Sequence, residues 1–157
     1  MYVKICDFLY VGSANSIKYA NEFDLIVNCT TDMREPKQYK QFIRLPIHDD
    51  PGDIDNAMTI INETGVLSII HLAIGDKKHV LVHCYAGEQR SCALIACYLI
   101  RYRGMTSIDT IEYITPSHIE NAHFYSLRQS KKIHRKYNNG YSNRTYENAM
   151  LFHFRYV

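Results

Sequence analysis

One short segment in the middle of the chain restricts its possible folds and functions more than any other. A β-rich apolar run ends in His83-Cys84, five residues follow, and then comes Arg90-Ser91. An apolar stretch compatible with a helix comes directly afterwards. A strand that passes through a short loop into a helix points backbone N–H groups at one concavity, at the positive end of the helix dipole. We therefore predict an anion-binding site at this loop.

The residue types in this segment suit the chemistry of phosphate esters. A thiol is a good nucleophile only as the thiolate, which amide N–H groups and a helix N-terminus stabilise. Arg90 carries a planar fork that can hold two phosphoryl oxygens and keeps its charge at any working pH. Ser91 can donate its hydroxyl proton to the sulfur of Cys84. The segment therefore predicts a phosphate site with a nucleophile in it.

The five residues between the cysteine and the arginine are expected to bind the substrate phosphate. Gly87, in the middle, can adopt a positive φ and approach a ligand closely. Glu88 is expected to point to solvent, because its carboxylate would repel a phosphate. His83 is expected beneath the loop, hydrogen-bonded and orienting rather than reacting. The five residues are Tyr85, Ala86, Gly87, Glu88 and Gln89.

The segment resembles the cysteine-based phosphatases that carry the pattern His-Cys-x5-Arg-Ser/Thr, most closely the dual-specificity branch. Other parts of the chain are also similar to that family. Leu9–Ser13, Phe23–Thr30 and Leu45–Asp50 resemble its early core strands, and Ile119–Phe124 resembles its late segment. The resemblance implies that Asn121 braces the phosphate loop. It further implies a catalytic set made of Cys84, Arg90, Ser91 and an upstream aspartate.

The activity implied by the resemblance is that of a dual-specificity protein-tyrosine phosphatase. Such an enzyme hydrolyses phosphotyrosine and phosphoserine or phosphothreonine through a cysteinyl-phosphate intermediate. The alternative is an RNA 5′-phosphatase or another non-protein phosphatase of the same superfamily. A second alternative is a catalytically inactive phosphate-binding module, which the presence of both Cys84 and Arg90 disfavours. No cofactor and no metal are expected, since neither paired Cys-x2-Cys nor clustered histidines occur.

A general acid is needed to protonate the leaving oxygen, and the resemblance places it after the strand that contains Pro46. Three aspartates there are candidates. Asp49 aligns best with the register of Pro46, and Asp50 is the near alternative. Asp53 is a better candidate for the cap of the next helix, because aspartate often precedes an apolar-periodic run.

The alternation of apolar strands and helices predicts an α/β fold with a single domain. Its central, mostly parallel sheet would have about four to five strands, flanked by helices on both faces. The predicted strands are Phe8–Val11, Leu25–Cys29, Ile43–Ile47 and Val80–His83. The predicted helices are Ser13–Glu22, Ile54–Ile74, Ser91–Arg103, Ser107–Ile114 and Asn121–Tyr137. We expect the catalytic domain to span residues 1–137 and a tail of uncertain packing to span 138–157.

Composition indicates which cellular compartment and which partners to expect. The five cysteines are odd in number and lie mostly in apolar patterns, which favours a reducing, cytoplasmic compartment without excluding the nucleus. Apolar runs do not reach transmembrane length, and no signal-peptide pattern appears. The net charge of +2 gives little reason to expect nucleic acid.

One local patch near the end of the chain is basic. Because its residues recur at helical spacing, the patch is interpreted first as the solvated face of a helix. The alternative interpretation is a docking surface for an acidic partner. The oligomeric state stays open. The patch consists of Arg128, Lys131, Lys132, Arg135 and Lys136, with His134 among them.

Overall fold

Five short strands form one sheet within residues 1–118, the part of the chain that the computed structural model describes. Their order across the sheet is β1-β2-β5-β3-β4. β1 is antiparallel to β2, and every other neighbouring pair is parallel. The predicted mostly parallel sheet is therefore confirmed. The strands are β1 (Tyr2–Cys6), β2 (Leu9–Gly12), β3 (Leu25–Asn28), β4 (Phe42–Arg44) and β5 (Val80–His83).

Helices connect these strands and follow the last of them. Two of the connections contain 3₁₀ helices, Ala14–Glu22 and Pro51–Asp53. The α-helices are α1 (Ile54–Thr64), α2 (Val66–Gly75), α3 (Arg90–Arg103) and α4 (Ser107–His118). The predicted helix Asn121–Tyr137, the tail, Asn121 itself and the basic patch lie outside the described residues.

The two faces of the sheet are covered unequally. Val80 and Val82 belong to a large apolar cluster that includes residues of all four α-helices. Leu81, which lies between them in the chain, belongs to a smaller cluster with Ala20 and Phe23, at the end of the first 3₁₀ helix. Successive side chains of a strand point to opposite faces, so helices lie on both faces as predicted, with the α-helices all on one.

The long helix predicted over Ile54–Ile74 is two helices. Gly65 separates them in a left-handed conformation, with φ of 62°, and its N–H donates to the carbonyl of Asn62. This backbone conformation is one that glycine adopts readily. Within residues 1–118, no single helix is long and apolar enough to cross a membrane, and α1 and α2 pass that test only as a pair bent by 51°.

Two other elements differ from the prediction in extent or type. β4 ends at Arg44 instead of Ile47, because Pro46 has no N–H with which to extend the ladder after Leu45 has donated to Asn28. The segment predicted as a helix from Ser13 forms a 3₁₀ helix, and no side chain caps its start.

The sheet topology brings the ends of three strands to one place. β3, β4 and β5 are parallel neighbours, so the loops that follow them emerge at the same edge. In open α/β sheets, ligands bind at the carboxyl ends of the strands. The residues predicted to act on phosphate follow β4 and β5, and the fold therefore places them together.

Candidate active site

Cys84 lies at the bottom of a loop that joins β5 to α3. Its side chain is 2% exposed. The Gly87 N–H donates to its sulfur at 3.2 Å, and the Ser91 hydroxyl lies 3.3 Å from it. α3 begins at Arg90, so its N-terminus faces the same loop. The sulfur thus lies among donors and at the positive end of a helix dipole, the surroundings that stabilise a thiolate.

Three other described cysteines are fully buried, and two of them, Cys29 and Cys92, lie close enough to Cys84 to interact with it electrostatically. Burial raises the pKa of Cys97 to about 12. Burial likewise raises the pKa of Cys29 and of Cys92 well above the usual value. A thiol that stays protonated is a weak nucleophile. These three side chains therefore suit the apolar core.

Three contacts fix the loop against its surroundings. The Cys84 N–H donates to the carbonyl of Gly12 at 3.3 Å, and the Ala14 N–H donates to the carbonyl of Tyr85 at 2.9 Å. From the other side, the Cys92 thiol lies 3.3 Å from the carbonyl of Gly87. The loop is therefore attached to the end of β2 and to α3 at once.

Gly87 is required by two independent features of its position. Its φ is +85°, a region that residues with a Cβ rarely adopt. A Cβ added there would lie 2.8 Å from the carbonyl carbon of Gly12 and 2.9 Å from the backbone nitrogen of Ser13. Both neighbours are backbone atoms that cannot rotate away, so this position tolerates no side chain without distortion of the loop.

Replacing Gly87 with alanine is expected to destabilise the fold by roughly 2–4 kcal/mol, from backbone strain and overpacking together. Thermal unfolding followed by circular dichroism measures the change. Gly75→Ala is the matched control, because a Cβ there meets no atom within 4 Å and no positive φ opposes it. Equal melting temperatures for the two variants would contradict the proposed crowding at Gly87.

Arg90 is buried beside the loop that contains Cys84. Its side chain also contacts the loop that follows β4. The whole residue is 5% exposed to solvent. Its two terminal nitrogens donate to the Ile47 carbonyl at 3.4 Å and to the Asp49 carboxylate at 3.2 Å. Its Nε is buried and has no hydrogen-bond partner among the described residues. A buried polar group without a partner is costly, and a bound phosphoryl oxygen would satisfy this one.

The three candidate aspartates occupy different positions. Asp49 is half-exposed and pairs with Arg90. Asp50 accepts a hydrogen bond from the Gly52 N–H at 2.8 Å and starts the short 3₁₀ helix. Asp53 accepts from the Asn56 side chain at 3.1 Å. The structure thus brings Asp49 to the loop and gives Asp50 a capping contact, whereas Asp53 stands at the N-cap position of α1 without the expected side-chain cap hydrogen bond.

The remaining loop residues are arranged as follows. His83 is fully buried and points to the sheet face opposite Cys84, and burial lowers its pKa to about 4. A contact with the Cys84 backbone opposes that lowering of the pKa. Ala86 is exposed, and Glu88 and Gln89 are partly exposed.

Tyr85 makes a contact that the sequence did not reveal. Its hydroxyl donates to the Asp32 carboxylate at 2.7 Å, across 53 residues of chain. This bond raises the pKa of Tyr85 and lowers that of Asp32. The Tyr85 ring centre lies 5.5 Å from the guanidinium carbon of Arg90. The loop after β3 therefore forms part of the site, which no motif near Asp32 indicated.

Comparison with protein families and curated proteins identifies the type of protein. Residues 9–139 match the model for the dual specificity phosphatase catalytic domain. "Putative tyrosine phosphatase 123R" of Invertebrate iridescent virus 6 is 30% identical over 113 residues, which are 71% of this chain and 75% of that protein. "Tyrosine-protein phosphatase MSG5" of Saccharomyces cerevisiae is 46% identical over 41 residues, which are 26% of this chain and 8% of that protein.

Solved structures show a similar fold. Human DUSP28 has a TM-score of 0.68 at 21% identity, over 87% of this chain and 95% of that one. OH1 of the Orf virus, described as a tyrosine phosphatase, has a TM-score of 0.57 at 19% identity, over 98% of this chain and 86% of that one. The fold and the family model together define a phosphatase, a hydrolase. The chain belongs to the dual-specificity phosphatase family.

Proposed function

We propose that this chain hydrolyses phosphotyrosine and phosphoserine or phosphothreonine in proteins through a cysteinyl-phosphate intermediate. The observation that carries the proposal is the environment of Arg90: its buried Nε has no partner among the described residues, and it lies in the loop that holds the Cys84 sulfur. A planar guanidinium with a donor to spare suits a phosphoryl group, which accepts two parallel hydrogen bonds. The identity of the relatives supports a phosphorylated protein as substrate.

The first step would transfer the phosphoryl group to the enzyme. The Cys84 thiolate attacks phosphorus, a sulfur–phosphorus bond forms, and the bond from phosphorus to the substrate oxygen breaks. Loop N–H groups and Arg90 stabilise the charge on the equatorial oxygens. Asp49, as the carboxylic acid, donates its proton to the departing oxygen.

The second step would release phosphate. Asp49, now a carboxylate, accepts a proton from a water molecule that attacks phosphorus. The sulfur–phosphorus bond breaks, and the electron pair returns to Cys84. The hydrogen bond from the Gly87 N–H and the Ser91 hydroxyl, 3.3 Å away, would stabilise the sulfur as it leaves. The cycle ends with the thiolate restored and inorganic phosphate as product.

The position of Asp49 supports its role as the general acid. Its carboxylate lies 3.2 Å from a terminal nitrogen of Arg90, the residue proposed to bind the phosphoryl group. The Asp50 side chain is instead occupied by the Gly52 N–H. A phosphoryl group that takes over the Arg90 donor would free Asp49 to face the leaving oxygen.

We expect Asp49→Asn to slow hydrolysis of an alkyl phosphate by about 10²–10³-fold, because an amide cannot protonate a poor leaving group. An activated aryl ester such as para-nitrophenyl phosphate needs little protonation and should slow much less. The ratio of the kcat values for the alkyl and the aryl ester measures the contribution of Asp49 as general acid. Asp50→Asn is the matched control. A larger leaving-group effect in that variant would assign the role of general acid to Asp50 instead of Asp49.

The substrate class is tested by measuring kcat/KM for three substrates side by side. These are a phosphotyrosine peptide, a phosphothreonine peptide and a 5′-triphosphorylated RNA, with vanadate as the control inhibitor. Turnover of both peptides that vanadate blocks is the expected result. A kcat/KM for the RNA above those of both peptides would contradict the proposal.

A further inference from the structure

Two carboxylates near the phosphate loop form no ion pair with the residues that the structure describes. Asp32, after β3, is exposed, and Glu88, within the loop itself, is partly exposed. Among residues 1–118, neither forms an ion pair. A site for a dianion is normally surrounded by positive charge, since like charges nearby disfavour binding. These two carboxylates therefore need an explanation from the substrate.

The position of Asp32 is fixed relative to the site. Tyr85, which directly follows Cys84, donates its hydroxyl to the Asp32 carboxylate at 2.7 Å. The backbone of Tyr85 is itself held by the Ala14 N–H at 2.9 Å. One tyrosine side chain thus sets the distance between the Asp32 charge and the phosphate loop.

The loop that carries Asp32 is braced from within the sheet. Arg44 donates to the carbonyls of Thr30 and Met33, at 3.3 and 2.6 Å. The Asn28 side chain accepts from both the backbone and the hydroxyl of Thr30, at 2.9 and 2.7 Å. Each of these contacts restricts the loop around Asp32. The carboxylate is therefore held at the opening of the site.

Within residues 1–118, no basic side chain forms an ion pair with Asp32 or Glu88, although the charge of Arg90 contributes to lowering the pKa of Asp32. Arg44 is directed at loop carbonyls and lies 4.0 Å from Glu35. Arg90 is buried in the site and pairs with Asp49. Lys40 pairs with Asp24 at 2.7 Å, at the start of β3 and thus at the opposite edge of the sheet. Two further cations on the β3 loop are exposed, Arg34 and Lys37.

We propose that Asp32 and Glu88 select phosphorylated protein segments that carry arginine or lysine next to the phosphorylated residue. A basic neighbour would pair with these carboxylates while the phosphoryl group binds the loop. A polyanion, such as an RNA 5′-triphosphate or an acidic phosphopeptide, would meet repulsion at the same place. This inference rests on the proposed function and adds a substrate preference to it.

The test compares two phosphotyrosine peptides of equal length, one with arginines and one with aspartates on both sides of the phosphotyrosine. At low ionic strength we expect kcat/KM to favour the basic peptide by about tenfold, and the preference to shrink as salt screens it. The effect should lie mainly in KM, because flanking charges act on binding. A 5′-triphosphorylated RNA serves as the third substrate.

The variants assign the preference to the two carboxylates. Asp32→Asn keeps an acceptor for the Tyr85 hydroxyl and removes only the charge. Combined with Glu88→Gln, it should reduce the tenfold preference to about twofold. Asp76→Asn is the control: this exposed carboxylate pairs with Lys78 just before β5, away from the site, and its removal should leave the preference unchanged.

The outcomes separate this inference from the proposed function. Equal kcat/KM for the two peptides, or a preference that survives in the double variant, would overturn the selection by charge and leave the phosphatase activity standing. Faster turnover of the RNA than of the basic peptide would also overturn it. If neither peptide is hydrolysed while para-nitrophenyl phosphate is, the proposed protein substrate fails and the inference fails with it.

Discussion

Replacing Cys84 with serine is expected to lower turnover of all phosphorylated substrates by about 10⁴-fold or more, as loss of a covalent nucleophile does. A serine hydroxyl stays protonated at neutral pH, and the described groups that contact the Cys84 sulfur, the Gly87 N–H and the Ser91 hydroxyl, are not bases. Oxyanion binding should survive, because the Gly87 N–H, the start of α3 and Arg90 remain. Steady-state kinetics measure the first effect, and calorimetric titration with tungstate measures the second.

Cys6→Ser is the matched control for this change. Cys6 lies on β1, far from the loop in the sheet order, and its replacement should leave turnover unchanged. Rapid quenching with a ³²P-labelled substrate should trap phosphorus on Cys84 in the parent protein and not in Cys84→Ser. Turnover within tenfold of the parent, or a label on another residue, would refute the covalent mechanism.

Replacing Arg90 with lysine is expected to lower kcat/KM by about 10²–10³-fold, although the formal charge is kept. The guanidinium is planar and directs separate donors at Ile47 and at Asp49, and its buried Nε has no partner among the described residues. An ammonium group is a single point of charge and cannot hold two phosphoryl oxygens while binding the β4 loop. Tungstate affinity should fall as well.

Arg101→Lys provides the comparison, because this side chain is exposed in the last turn of the same helix. Thermal unfolding of both variants checks that the fold is intact. A kcat/KM for Arg90→Lys within a few-fold of the parent would mean that the guanidinium does not bind substrate. If Arg90→Lys loses activity because it does not fold, Arg90→Gln replaces it as the test variant. Its affinity for tungstate is then the quantity measured.

The centre of the site was predictable because its signal is local. His83 ends an apolar strand, Cys84 follows it directly, Arg90 begins an apolar helix, and the five residues between Cys84 and Arg90 form the turn. The mostly parallel sheet followed from the alternation of strands and helices in the same way. Sequence also ranked Asp49 ahead of Asp50, and the observed contact with Arg90 agrees with that ranking.

The elements that the sequence did not predict, or predicted incorrectly, depend on contacts between residues far apart in the chain or on the folded backbone. β1 is an edge strand whose exposed Lys4 interrupts a short apolar run, and its pairing with β2 defines it. Gly65 lies inside the predicted helix Ile54–Ile74, but only its left-handed backbone in the fold divides α1 from α2. Asp32 reaches Tyr85 across 53 residues, which no local pattern can indicate.

The attachment of the phosphate loop to Gly12, Ala14 and α3 has a thermodynamic consequence. A receptor that is already in its binding conformation gives up little conformational entropy when the anion arrives, because the ordering has been done during folding. Tungstate titrations should therefore show a small heat-capacity change, with a binding enthalpy that varies little with temperature. That result would identify the N–H groups of the loop as a preorganised receptor for the oxyanion.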